Sequence, residues 1–398
     1  MPPDQVDLSL LSLPLQSALL LAEMAFCLLF GLLLLRHSLL TPRPAAGWLA
    51  LILLLSTLYL VPWAAGHLGW YGRDGYRELL FYVPFQQLLL IGPCVYAYVR
   101  ALLNPGHRTR GRGWWHFLPA LVYLLYSLVM FLWDAFAAGS YSFYGDGRDR
   151  DLDPWYQTVG FASLLIYTLL SIRRYHRYRR DIVSEVSYSD AITYRWVRRY
   201  LLLLLLLVGL RLTFLIAYPD FGSFGQKFWY YLAFGAVSMM VAVAGYTEAI
   251  RREASGHLAV PELPGPEPPE TEKETPYPEM DAADLADWKI RLTTLMDEQQ
   301  PHRNAQLNLT DLAQQLGLTR RQTSAVINRE FACNFNDFIN RYRIRAVSRA
   351  IDRGEHRQRT LLALALEAGF NSKTTFNRVF KRETGQTPRQ YVASLAKK

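Results

Sequence analysis

The chain has 398 residues, a hydrophobic fraction of 51% and a formal net charge of +9, enough length for two or three domains. The charge is uneven: residues 301–398 carry 18 Lys/Arg against 7 Asp/Glu, while residues 253–280 carry one Lys against seven Glu, which fits a polyanionic partner for the first stretch and a solvated spacer for the second. The three cysteines, Cys27, Cys94 and Cys333, stand apart with no CxxC or Cys/His cluster, so nothing points to a disulfide framework or a metal site, and no cofactor is expected.

In chain order, seven apolar stretches are long enough to cross a ~30 Å hydrocarbon layer: Leu15–Leu35, Trp48–Ala65, Leu79–Leu103, Phe117–Phe136, Tyr156–Ile172, Trp196–Tyr218 and Phe228–Thr247. Nine of the ten tryptophans precede residue 230, mostly near the ends of these stretches, as an interfacial belt would place them. The leader of the first stretch has Asp4 and Asp7 and no positive charge, so it reads as a retained span and not a cleavable signal. Loops after the first, third, fifth and seventh stretches hold 16 arginines, eight of them between Arg173 and Arg199, against 5 Lys/Arg on the other side. The positive-inside rule then puts the N-terminus outside and the C-terminus in the cytoplasm. The cluster Arg173–Arg180 reads first as a contact with anionic headgroups, and second as a docking surface.

Ionisable and amide groups inside these stretches need a reason. Glu23 and Arg211 lie ~12 Å and ~10 Å below the outer surface at the helical rise, and Gln86 and Gln87 lie at a similar depth beside Pro84. One reading is an outward-opening polar pocket for a small-molecule ligand, lined by Glu23, Gln86, Gln87 and Arg211. The other is a structural Glu23–Arg211 ion pair with glutamine hydrogen bonds between helices. No lysine lies deep in a stretch for a Schiff base, and no HExxH or nucleophile–base set is present; no catalytic residue is assigned and an enzyme is not expected.

Residues 251–280 are rich in Pro and Glu, which predicts a disordered linker and argues against a rigid connection from the seventh span. An amphipathic stretch follows at Leu285–Met296, then two helix-turn-helix patterns at about 309–330 and 360–384. In the first, Thr310 is expected to cap a helix bearing Leu312, Ala313 and Leu316, Gly317 turns the chain, and Thr319 caps the second helix. In the second, Thr360 precedes a helix with Leu364, Ala365 and Ala368, Gly369 turns, and Ser372 caps. Thr323, Val326 and Ile327 share the spacing of Phe376, Val379 and Phe380, so these face the core. The opposite faces present Arg320, Arg321, Ser324, Ala325 and Asn328 in one unit and Lys373, Thr374, Asn377, Arg378 and Lys381 in the other, side chains suited to base edges and phosphates. A long helix, Asn336–Ile351, joins the units; its arginines and Asn336 read as packing and capping groups.

The strings SAVINREFACNFNDFINRYRIRAV and ALEAGFNSKTTFNRVFKRETGQTPRQY resemble the AraC/XylS-type transcription regulators over roughly residues 307–395. The layout as a whole is similar to a membrane-anchored branch of that family. The resemblance implies seven helices in two subdomains joined by the long helix, with both reading helices in successive major grooves of promoter DNA. By matched position its base contacts fall on Arg321, Ser324 and Ala325, and on Lys373, Thr374, Asn377 and Arg378. Thr323 departs from the family, which has a leucine-like residue there.

The expected fold class is thus all-α: a seven-transmembrane-helix bundle over 1–250, the linker over 251–280, and a double helix-turn-helix DNA-binding domain over 281–398. The expected function is a membrane-embedded one-component transcription regulator, with duplex DNA, the lipid bilayer, RNA polymerase, a second copy of the chain and a small ligand as partners. Two alternatives stay open: a transporter-like protein with a fused regulatory domain, and a regulator whose spans are only an anchor.

Overall fold

A computed structural model describes residues 15–41, 44–104, 111–144, 150–217, 224–254 and 282–395, and every regular element among them is helical. The predicted linker lies outside the described residues, except that 251–254 continue the preceding helix. The chain divides into two compact units, 1–175 with 195–259, and 176–194 with 260–398.

The first unit contains α1 (Leu15–Leu40), α2 (Pro44–His67), α3 (Asp74–Leu80), α4 (Leu88–Leu103), α5 (Leu118–Leu132), α6 (Pro154–Glu185, as far as Tyr175), α7 (Arg195–Ala217) and α8 (Phe224–Ala254). Leucine and alanine are the commonest residues of these segments and favour the helix. α1 packs on α2 and α8, α2 on α4 and α8, and α7 on α8. α4 and α6 meet almost backbone to backbone: a Cβ on Gly92 would lie 3.3 Å from Leu164 Cα, and one on Gly160 would lie 2.5 Å from Leu88 Cβ. Small residues at such crossings allow the close approach that packs helices in an apolar surrounding. Leu121, Val122, Leu125, Leu128 and Val129 of α5 are exposed, as are Leu28, Leu29 and Leu32 of α1, a larger apolar exterior than water favours.

Among the described residues, five helices are long and apolar enough to cross a membrane: Leu15–Leu40, Pro44–His67, Gly113–Ala138, Pro154–Glu185 and Lys227–Arg251. The expected third span is not one helix. α3 ends at Leu80, residues 81–87 leave the helix, and α4 has 16 residues, about 24 Å at the helical rise. Pro84 explains the break, since it removes an N–H and pushes the residue before it out of the α region. The expected sixth span corresponds to α7, which carries Arg195, Arg198, Arg199 and Arg211.

The second unit contains seven helices among its residues from 282 onward: α9 (Ala282–Glu298), α10 (Leu309–Leu316), α11 (Arg320–Phe331), α12 (Phe335–Asp352), α13 (Leu361–Glu367), α14 (Lys373–Thr384) and α15 (Pro388–Leu395). Two apolar cores flank the long α12. Its first half gives Phe335, Phe338, Ile339 and Tyr342 to a core shared with Leu292 and Met296 of α9, Leu312 of α10 and Val326 and Ile327 of α11. Its second half gives Ile344, Val347 and Ile351 to a core with Leu364, Phe370, Phe376, Val379 and Phe380. The amphipathic stretch before the first motif is therefore part of that motif's core.

Candidate nucleic-acid interface

The two helices expected to read DNA, α11 and α14, start at capped ends. Thr319 Oγ1 accepts from the Gln322 amide and the Gln322 side chain returns to the Thr319 amide, a reciprocal box that satisfies donors with no helical partner. Ser372 Oγ accepts from the Thr375 amide at 3.2 Å, and Thr360 caps α13 in the same way. The cap of α10 is Asn308 rather than Thr310: Asn308 Oδ1 accepts from the Asp311 amide at 2.9 Å. Both residue types serve as caps, and the helix starts two residues earlier than the threonine reading has it. The turns use Gly317 at φ 69° and Gly369 at φ 99°, and a Cβ at Gly369 would also strike the His302 carbonyl oxygen at 2.3 Å.

Thr323, Val326 and Ile327 are buried on α11, and Phe376, Val379 and Phe380 on α14. Thr323 reconciles its hydroxyl with the core by donating to the Thr319 carbonyl at 3.1 Å, the back-bond that a buried helical threonine uses. The outward faces differ. Lys373, Thr374, Asn377, Arg378 and Lys381 of α14 are all exposed. On α11, Arg321 and Asn328 are exposed, whereas Arg320, Ser324 and Ala325 are half-buried. The Asn328 amide reaches the Ser324 hydroxyl at 3.4 Å, and Arg320 is ion-paired with Glu185.

Arg343 of α12 ties this unit together and has no counterpart among the site residues expected from sequence. It is 1% exposed. Its Nε donates to the His302 carbonyl at 2.8 Å, Nη2 to the Asn304 carbonyl at 2.9 Å and to Ser187 Oγ at 2.9 Å, and Nη1 to the Ser187 carbonyl at 3.2 Å. Its guanidinium also sits 5.9 Å from the Phe370 ring. Burial, reinforced by the Arg343 and Arg303 charges, holds His302 down at about 4. Asn336, expected to pack, donates to the Val186 carbonyl at 3.1 Å and to Ser189 Oγ at 2.9 Å.

In the first unit, the predicted polar residues are only partly brought together. Gln86 and Arg211 are linked through Gln157, a residue the sequence reading passed over. Gln157 Nε2 donates to Gln86 Oε1 at 2.6 Å, and Arg211 Nη2 donates to Gln157 Oε1 at 3.3 Å. Gln86 also donates to the Tyr231 hydroxyl at 3.2 Å. The break before α4 is served from other elements: the Gln86 amide donates to Asp151 Oδ2 at 2.9 Å, and the Tyr156 hydroxyl to the Gln86 carbonyl at 2.7 Å. Gln87 turns back onto the Pro84 carbonyl. Glu23 is 8% exposed, lies against Gly235 of α8, and its Oε2 has no hydrogen-bond partner. No Glu23–Arg211 ion pair is found among the described residues. Arg211 instead lies 5.5 Å from the Phe161 ring and 5.4 Å from the Tyr230 ring, stacking that suits a guanidinium.

Residues 312–394 match the helix-turn-helix domain family. The match begins inside α10 and runs into α15, so it covers both reading helices and α12 between them. A curated relative is an uncharacterized HTH-type transcriptional regulator of Staphylococcus aureus (strain COL), 30% identical over 90 residues, which is 23% of this chain and 12% of the relative. The chain thus spans about an eighth of that relative's length. No solved structure matches the chain. The C-terminal part is a helix-turn-helix domain of the AraC type, and a domain of this kind binds DNA and serves transcription regulation.

Proposed function

We propose that the chain is a membrane-embedded, one-component transcription regulator of the membrane-anchored AraC/XylS branch, with α11 and α14 reading promoter DNA in the cytoplasm. The observation that carries this reading is the coexistence, in one chain, of two capped reading helices within a matched helix-turn-helix domain and five helices long and apolar enough to cross a membrane. Seven crossings, N-terminus outside, follow if the broken third segment and α7 are counted with those five; the loop arginines support that orientation. Arg320, Arg321, Ser324 and Asn328 on α11, and Lys373, Thr374, Asn377, Arg378 and Lys381 on α14, are the DNA-contacting set. A signal reaches the protein in the outer part of the helix bundle, where Gln86 and Arg211, linked through Gln157, together with Gln87 and Glu23, form the ligand-responsive group. RNA polymerase and a second copy of the chain are the further partners.

A chromatin pull-down of the tagged chain, followed by titration of the recovered promoter with purified protein in lipid nanodiscs, tests the reading. One enriched promoter bound at least a thousandfold more tightly than random duplex is the expected result. Failure to bind any duplex overturns it. On the sensing side, Glu23→Ala, Gln87→Ala and Arg211→Ala are expected to change the transcriptional response; an intact response in all three leaves the spans as an anchor.

A further inference from the structure

Residues 186–194 join α6 to α7, and their composition gives no reason to bury them. Yet Val186, Ser187, Tyr188, Ser189, Ile192, Thr193 and Tyr194 are all buried, and they belong to the second compact unit. Val186 forms an antiparallel bridge with Asn308, and the Ser187 amide and hydroxyl both donate to the Leu307 carbonyl, at 3.1 and 2.8 Å. Arg343 and Asn336 hold the Ser187 and Val186 carbonyls from the other side. This turn thus occupies a slot between the chain leading into α10 and the first half of α12, and every polar group of its backbone that is named here has a partner. Directly before it, Glu185, the last residue of α6, forms the ion pair with Arg320, the first residue of α11.

Arg320 stands where a reading helix meets DNA, since the N-terminal residues of such a helix enter the groove and arginine there grips phosphate or a base edge. A carboxylate on that guanidinium presents two oxygens much as a phosphate does. We propose that the 186–194 turn is a docked handle that holds Glu185, at the end of α6, against Arg320, and that Glu185 occupies Arg320 in place of a DNA phosphate. Docking of Glu185 and engagement of DNA by α11 then exclude each other, while α14 stays open. By linkage, anything that draws α6 away from Arg320 favours DNA, and DNA favours the withdrawn position by the same factor. The inference rests on the proposal that this domain binds DNA.

The test uses the full chain in lipid nanodiscs and a mixed-sequence duplex of about 30 base pairs, long enough for two reading helices a helical turn apart. Glu185→Gln is expected to bind about three- to fivefold more tightly, the scale of losing one competing partly exposed ion pair. The slope of log affinity against log salt should steepen by ~0.9, one added phosphate contact. In an Arg320→Gln background the same substitution should change affinity by less than about twofold, because the double-mutant cycle isolates the pair. An equal gain in both backgrounds makes the effect one of overall charge and overturns the proposal, as does an unchanged affinity and slope for Glu185→Gln. Hydrogen exchange at the Ser187 amide should stay slow in the variant; if it becomes fast, Glu185 holds the turn in place and is not a competitor at Arg320. Absence of duplex binding by wild type and variants alike is a different outcome, and removes the regulator reading itself.

Discussion

Replacing Arg343 with leucine removes a buried cation on which three segments of the second unit converge. Leucine keeps apolar contact with Phe370 but strands the His302 and Ser187 carbonyls, which accept from Arg343, while the Asn304 carbonyl keeps the Leu307 amide and the Ser187 hydroxyl keeps the Leu307 carbonyl. Each buried acceptor left without a donor costs ~1–3 kcal/mol. The sum overstates the loss, because the variant no longer buries a guanidinium, whose desolvation costs several kcal/mol. The balance is a loss of about 3 kcal/mol, the scale for breaking a buried hydrogen-bond network and leaving neutral acceptors unpartnered. Against a typical domain stability of ~5–15 kcal/mol that is a large share. Hydrogen exchange by mass spectrometry on the full chain in nanodiscs reads it locally: amides of α12 and of residues 301–307 should exchange at least about a hundredfold faster. Arg349→Leu, an exposed position on the same helix, should stay within about 0.5 kcal/mol of wild type. If Arg343→Leu exchanges no faster than Arg349→Leu, the four hydrogen bonds do not carry the weight assigned to them.

His302 gives a pH dependence of definite sign. Its folded value of about 4 lies below the ordinary 6.5, so the unfolded chain takes up the proton first as pH falls, and stability drains away between 6.5 and about 4. At ~1.4 kcal/mol per pH unit the loss is at most about 3 kcal/mol; denaturation at pH 7.5 and 4.5 should reveal it, and His302→Asn should flatten it. Arg378→Ala should cost about 1–3 kcal/mol on one promoter sequence if it reads a base, measured by fluorescence anisotropy against point-mutated duplexes; an equal loss on all sequences makes it a phosphate contact. Lys381→Ala should weaken all duplexes and flatten the salt slope by ~0.9. Ser372→Ala should destabilise the second motif by ~1 kcal/mol through loss of its cap, with α14 amides exchanging faster while those of α11 do not change.

The second unit was the more legible of the two because its signals are local. Thr319, Thr360 and Ser372 announce helix starts, Gly317 and Gly369 announce turns, and the i, i+3, i+4 spacing of Phe376, Val379 and Phe380 names the buried face. The same locality explains the miss at Asn308, where two good capping residues stand two positions apart. What escaped was long-range. Arg343 meets Ser187 across 156 residues, and nothing in an arginine-rich helix distinguishes the one arginine that turns inward. The turn 186–194 read as a loop because only its partners make it a buried element. In the first unit hydropathy averaged over Leu79–Leu103 concealed the break that Pro84 makes. Depth alone grouped Glu23 with Arg211, whereas depth says nothing of which side of a helix each occupies; Glu23 faces Gly235 and Arg211 faces Gln157.

The break before α4 has a consequence for how the protein is made. The backbone amide of Gln86 is met by Asp151, 65 residues later in the chain, and its carbonyl by Tyr156, 70 residues later. A ribosome adding ~5–20 residues each second needs several seconds to deliver them. On the membrane-embedded reading proposed above, the Gln86 amide stays without its partner through that interval, which a lipid interior would not tolerate, whereas its carbonyl already accepts from the Leu88 amide. On that reading its final seating waits for residues 151–156, and biogenesis of the helical bundle does not proceed strictly in the order of translation. A ribosome stalled before residue 151 should leave this segment accessible to water-borne labelling reagents at a cysteine placed at 86, and one stalled well beyond residue 160 should not.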